Sequence, residues 1–134
     1  MTLDKELLNN LVNITSSAAI SSFSHVGKKN KELTDKAATD DMRKNLNKLD
    51  ISGEVVIGEG ELDEAPMLYI GEKLGTGKGP FIDIAVDPVE GTNFVANNLP
   101  GALSVLAVSN KGNLFHAPET YMNKIAVGND VPID

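Results

Sequence analysis

The chain has no cysteine and no tryptophan, and aromatic residues make up only 4% of its 134 residues. Without thiols there is no disulfide, no thiolate metal site and no cysteine nucleophile. So few aromatics imply an aliphatic core and no platform on which bases stack, so no nucleic-acid partner is expected. No apolar run approaches the ~20 residues that span a bilayer, so no membrane partner is expected either. The opening "MTLDKE" lacks a basic segment followed by an apolar one, which predicts no secretory signal and, with the missing cysteines, is compatible with a cytoplasmic location. Positive charge is scarce as well: 12 Lys and Arg face 19 Asp and Glu, for a net charge of −7. That balance opposes binding to phosphate polymers and anionic surfaces. It leaves room for a small phosphate ester if cations bridge the two.

What is present suits one domain over residues 1–134, with 41% apolar residues to build a modest core. Leu7, Leu11, Ile14 and Ala18 recur on one helical face, with Leu8, Val12, Ala19 and Phe23 widening it. They predict a helix over 3–26, capped by Thr2 and stopped by Gly27. Ala38, Met42 and Leu46 predict a second helix over 35–48, with Asp35 near its start, where a carboxylate ordinarily serves the helix dipole. Strands are expected at Val55–Ile57, Leu68–Ile70, Phe81–Val86 and Ala102–Val108. A return strand should begin at Leu114-Phe115 after a turn at Asn110–Gly112, and a last strand should run from Tyr121 to Val127. Residues 92–98 suit a short helix. Two helices followed mainly by strands predict an α+β, or layered α/β, fold with the helices on one face of a mixed sheet.

Two of these strands run into acids. "VVIGEGELDE" passes from Val55–Ile57 into Glu59, Glu61, Asp63 and Glu64, and "FIDIAVDPVEGTN" passes from Val86 into Asp87 and Glu90. Four acids in six positions ordinarily mark a solvated loop, and Asp-Pro with Glu-Gly is ordinary turn composition. Side by side in one sheet, however, the two strand ends would bring Glu59, Asp87 and Glu90 together. Clustered carboxylates raise one another's pKa unless a cation compensates, and an all-oxygen set favours Mg²⁺ or Mn²⁺ over zinc. The Val89 carbonyl offers a further ligand. Gly91 permits close approach, and Thr92 and Asn93 present N–H groups at a helix start suited to an anion. The Thr92 hydroxyl is placed to orient a water, with a carboxylate to take its proton. The chemistry read from these residues is metal-assisted phosphoester hydrolysis.

"DPVEGTN" resembles the Asp-Pro-Ile-Asp/Glu-Gly-Thr motif of the lithium-sensitive, metal-dependent phosphatases. The longer stretches "VVIGEGELDEAPMLYIGEKLGTG", "DIAVDPVEGT" and "NKGNLFHAPETYMNKIAVG" resemble class II fructose-1,6-bisphosphatase specifically. The resemblance runs from Leu7 to Gly128. It implies that Asp35 and Glu59 are ligands of one metal site and Asp87 and Glu90 of a second. It implies that Glu90, Gly91, Thr92 and Tyr121 contact substrate, that Thr92 lies near the attacking water, and that Lys31 and Asp63 are needed for activity. His25 and His116 match no catalytic position. The family's usual Gly-Asp before the matching lysine is here Lys29-Asn30.

The implied cofactor is Mn²⁺ or Mg²⁺. The implied reaction is hydrolysis of the 1-phosphate of fructose 1,6-bisphosphate in gluconeogenesis. Family members are more than twice as long, so the chain matches their N-terminal half, without the second subdomain, and is expected to turn over weakly or not at all alone. Two other readings are open: a related phosphatase for sedoheptulose bisphosphate or an inositol phosphate, and a non-catalytic module that self-associates as a homo-oligomer through its uncovered apolar surface.

Overall fold

Apolar residues three and four apart build the first element of the structure, a computed structural model that describes residues 5–59, 67–116, 123 and 125–131. Helix α1, Lys5–Phe23, buries Leu11, Ile14, Ala18 and Ser22 on one face. The buried stripe is narrower than expected: Val12 and Phe23 are 64% and 74% exposed. The helix also ends at Phe23, short of the predicted residue 26. His25 N–H and Val26 N–H bond back three residues to Ser22 and Phe23, and Gly27 N–H bonds across to Val95. Gly27 adopts φ 74°, as a helix stop requires. Thr2, the expected cap, lies outside the described residues.

Helix α2, Lys31–Leu46, begins four residues before the predicted start. Asn30 is its N-cap, its side-chain oxygen accepting from Leu33 N–H at 2.9 Å. Lys31 and Glu32 are therefore helical, and Asp35 sits one turn inside α2.

The strands are β1 (Ser52–Ile57), β2 (Lys73–Leu74), β3 (Phe81–Glu90) and β4 (Leu103–Asn110), with a short helix α3 (Thr92–Ala96) between the last two. They form one mixed sheet in the order β2-β1-β3-β4. β1 and β3 are parallel, while β2 and β4 pair antiparallel with β1 and β3. Ile82, Ile84 and Val86, alternate residues of β3, face the same core as Leu11, Ile14 and Ala18 of α1 and Ala38, Met42 and Leu46 of α2. The expected architecture of helices layered on a mixed sheet is borne out. No helix among the described residues is long and apolar enough to cross a membrane.

Three strand expectations fail. Leu68–Ile70 is not a strand. It meets β1 through scattered bonds, Glu59 N–H to Leu68 O and Gly71 N–H to Val55 O, and the regular pairing falls on Lys73–Leu74 instead. The return from Leu114 does not form, because Asp83 Oδ2 takes the amides of Gly112, Asn113 and Leu114 that a ladder would use. Asn123 and Ile125–Val127 are not in a strand, and the rest of Tyr121–Val127 lies outside the described residues. β3, by contrast, runs four residues past the predicted Val86 and carries Asp87 and Glu90 within it.

Candidate functional site

Parallel register gathers the acids. Ile57 of β1 pairs with Ala85 of β3. Two residues further along each strand stand Glu59 and Asp87, which period-two alternation puts on the same side as that pair. This is the carboxyl end of adjacent parallel strands, where open α/β sheets bind ligands. The register of β3 against β4 shifts between Asp87 and Glu90. Pro88 has no N–H for the ladder, and Val89 N–H turns back to Asp87 Oδ1 at 3.0 Å. The shift brings Glu90 round to Asp87. The Asp87 carboxyl consequently feels both Glu90 and Glu59.

The electrostatic cost is visible on Asp87. Burial first, then the hydrogen bond and negative charge of Glu90, push its pKa up to about 6, against the opposing pull of Glu59 and the Val89 N–H. Asp35, half-buried on α2, is also raised by burial, and its Oδ1 is buried without a hydrogen-bond partner. Lys31 opens α2 one turn earlier, exposed, at the i,i+4 spacing that shares a helical face with Asp35.

Gly91 follows with φ 85° and ψ 45° at the start of α3. A Cβ there would lie 2.9 Å from Phe94 Cδ2, so the turn accepts only glycine without strain. Thr92, half-buried, is the first residue of α3. Asp63 and Tyr121 lie outside the described residues. His116 bonds through Nδ1 with the Val56 carbonyl, a contact that involves none of the acids.

The side chains gathered at this end of the sheet offer only oxygen donors, Asp35 Oδ1 is buried without a hydrogen-bond partner, and the Asp87 pKa is raised by burial and by the neighbouring Glu90. Among the described residues no group of three or more acidic or histidine side chains is placed to hold a metal ion. An apolar groove of about 480 Å³ lies between the end of α1 and residues 98–104. Pro88 and Val89 line that groove and none of the acids does.

Sequence reasoning missed an ion pair that ties α2 to segment 67–72. Arg43 of α2 meets Glu72 through Nε at 2.7 Å and Nη2 at 3.2 Å, and Nη2 also donates to the Met67 carbonyl. Arg43 is the only arginine in the chain. A lone arginine among lysines, next to the core residue Met42, was the available signal.

Comparison with known proteins agrees with the motifs. The family model described as "Bacterial fructose-1,6-bisphosphatase, glpX-encoded" matches residues 5–133. The chain is 50% identical over 124 residues to the D-fructose 1,6-bisphosphatase class 2/sedoheptulose 1,7-bisphosphatase of Prochlorococcus marinus (strain MIT 9303). It is 52% identical over 124 residues to the protein of the same description from Synechococcus sp. (strain CC9605). Each match covers 92% of this chain and 37% of the relative, so the chain spans little more than a third of the length of these relatives. With acids at two strand ends, and Gly91 and Thr92 in the places the motif requires, the chain belongs to the family of bacterial, glpX-encoded fructose-1,6-bisphosphatases.

Proposed function

We propose that the chain carries the metal-binding and phosphate-facing part of a class II fructose-1,6-bisphosphatase site, and that the substrate is a small phosphorylated sugar. The observation that carries this is the meeting of Glu59, Asp87 and Glu90 at the ends of two adjacent parallel strands, with Asp87 raised to about 6. Asp35 and Glu59 would hold one Mn²⁺ or Mg²⁺, and Asp87 and Glu90 a second, with the Val89 carbonyl as a neutral ligand. A divalent cation bound there supplies charge that polarises the phosphate and acidifies a water.

The chain's own residues do the rest. Thr92 orients the attacking water, and a site carboxylate takes its proton. The bond between phosphorus and the sugar oxygen at C1 breaks as the new one forms, and the departing oxygen is protonated from solvent. Glu90 and Gly91 line the phosphate side. Lys31 contributes positive charge beside Asp35. Asp63 and Tyr121 complete the proposal through the family motif. These residues span little more than a third of the length of the matched relatives, and weak or no turnover is expected from them alone. The setting is cytoplasmic gluconeogenesis.

The test has two arms. Calorimetric titration with Mn²⁺ should show binding that is lost in Glu59→Ala and Asp87→Ala; equal binding by all three proteins would sink the site. Phosphate release from fructose 1,6-bisphosphate, beside sedoheptulose 1,7-bisphosphate and an inositol phosphate, ranks the substrates. Any release that survives in Asp87→Ala is not this chemistry.

One observation favours a second reading, self-association. Among the described residues β4 stands at the edge of the sheet, its sequence "LSVLAVSN" carries no charge, and Leu103 and Val105 are exposed. Uncharged edge strands invite pairing with another copy. Light scattering that finds only monomer at high concentration would exclude it.

A further inference from the structure

We propose that Arg43 is a positioning residue of the acidic site, setting the separation between Asp35 and Glu59 through Glu72 and the Met67 carbonyl. This rests on reading those two acids as metal ligands.

Asp35 and Glu59 lie on different layers. Asp35 is on α2, and Glu59 is on the extension of β1. Something must fix one layer against the other if both acids are to face one ion. Arg43 is on the same helix as Asp35, two turns further on, roughly 12 Å along its axis. Its guanidinium reaches off the helix and grips two points. Nε and Nη2 take the two oxygens of Glu72 in a forked pair, and Nη2 also takes the Met67 carbonyl. Both groups are sheltered: the Arg43 side chain is 24% exposed and that of Glu72 10%.

The two gripped points are the ends of segment 67–72, and that segment is what Glu59 rests on. Glu59 N–H donates to Leu68 O at 3.0 Å, Gly71 N–H to Val55 O at 2.8 Å, and Val55 N–H to Glu72 O at 2.9 Å. The contact beside Glu59 is close. A Cβ on Gly58 would come within 2.2 Å of Leu68 O, so the backbone at 58–59 lies directly on residue 68. A shift of Leu68 therefore moves Glu59. The path from Asp35 runs along a rigid helix to Arg43, across the guanidinium to Met67 and Glu72, and through main-chain bonds to Glu59.

A lysine at position 43 would keep the charge but lose the fork, because one ammonium cannot present the planar pair of donors while holding the carbonyl. Arg43→Lys thus separates geometry from charge. Glu72→Gln makes the complementary change at the partner, removing charge at nearly constant volume. Outer residues that orient metal ligands typically change metal affinity roughly 10- to 100-fold when altered.

The experiment uses the full chain and reads two quantities. In the metal-free protein, NMR hydrogen exchange at the Glu59 amide should accelerate about tenfold or more in Arg43→Lys and Glu72→Gln, with the Ile84 amide of β3 unchanged. In titration with Mn²⁺ alone, the Kd should rise roughly 10- to 100-fold in both variants. The core variant Ile14→Val should melt earlier at an unchanged Kd, which separates positioning from general stability. Either variant suffices if the other fails to fold. Exchange at Glu59 and a Kd both within twofold of wild type, in a folded variant, would overturn the role of Arg43. Absence of Mn²⁺ binding in the wild type would instead sink the metal reading, and the amide measurement would then decide the case of Arg43 alone.

Discussion

Replacing Asp87 by asparagine should make the metal-free protein more stable, although it removes a central group of the proposed site. Folding raises the Asp87 pKa from 3.8 to about 6, so the native state holds that proton more tightly than the unfolded chain. The resulting stability is fully present below about pH 4 and is lost as pH rises through about 6. A rise of this size corresponds to roughly 3 kcal/mol. Asp87 is only half-buried, and solvent screening reduces this to about 1.5 kcal/mol. The asparagine keeps the shape and removes the charge that Glu90 repels.

Thermal unfolding followed by circular dichroism at pH 5 and pH 8, with EDTA or with Mn²⁺, reads the consequences. In EDTA at pH 8 the variant should melt about 6 °C above wild type, and the difference should shrink at pH 5. With saturating Mn²⁺ the order should reverse. At a hundredfold excess over Kd the wild type gains about 2.7 kcal/mol from binding, and the variant gains little. A variant that is less stable than wild type in EDTA at pH 8 would refute the argument, because Asp87 would then be held by its neighbours and not strained by them.

Three further outcomes follow from backbone and hydrogen-bond geometry, each measured by urea unfolding. Gly91→Ala forces a side chain onto φ 85° and should cost roughly 1–2 kcal/mol; no loss would mean that the turn has another conformation. Lys29→Gly should gain about 0.5 kcal/mol, because Lys29 holds φ 58° and the exposed bond from its Nζ to Asn97 is a weak compensation. A loss above about 1 kcal/mol would show that this bond matters more. Asp83→Ala should cost roughly 1–3 kcal/mol, since one carboxylate oxygen accepts three backbone amides, of which only that of Asn113 has a second acceptor, the Asn110 carbonyl. A neutral result would mean that water replaces it.

The periodicities that were legible in the sequence are those that the core imposes. Leu11, Ile14 and Ala18 recur because one face of α1 is buried, and Ile82, Ile84 and Val86 alternate because one face of β3 is. The acids were legible for a related reason: an apolar strand that runs straight into carboxylates is a pattern visible without coordinates. What lay beyond reach depends on distant partners. Nothing near Leu68–Ile70 says that β1 prefers Lys73–Leu74, and nothing near Leu114 says that Asp83, about thirty positions earlier, has claimed its amides. Arg43 and Glu72 are 29 residues apart and share no periodicity, so their pairing is a fact of the tertiary fold alone.

The departure at Lys29-Asn30 shows how a family motif survives a change in its letters. Where the resemblance leads one to expect glycine and aspartate, the structure has a lysine in the left-handed region and an asparagine whose side-chain oxygen caps α2. Both substitutions fill the same backbone requirements, because asparagine caps a helix about as well as aspartate and a left-handed residue is tolerated with strain. The start of α2 is thereby kept, and with it the one-turn spacing from Lys31 to Asp35. What the exchange removes is one negative charge at the helix N-terminus, and what it adds is one positive charge, bonded to Asn97 just past the end of α3. The chain therefore keeps the start of α2, and with it Asp35 one turn inside the helix, while carrying less negative charge at that helix N-terminus.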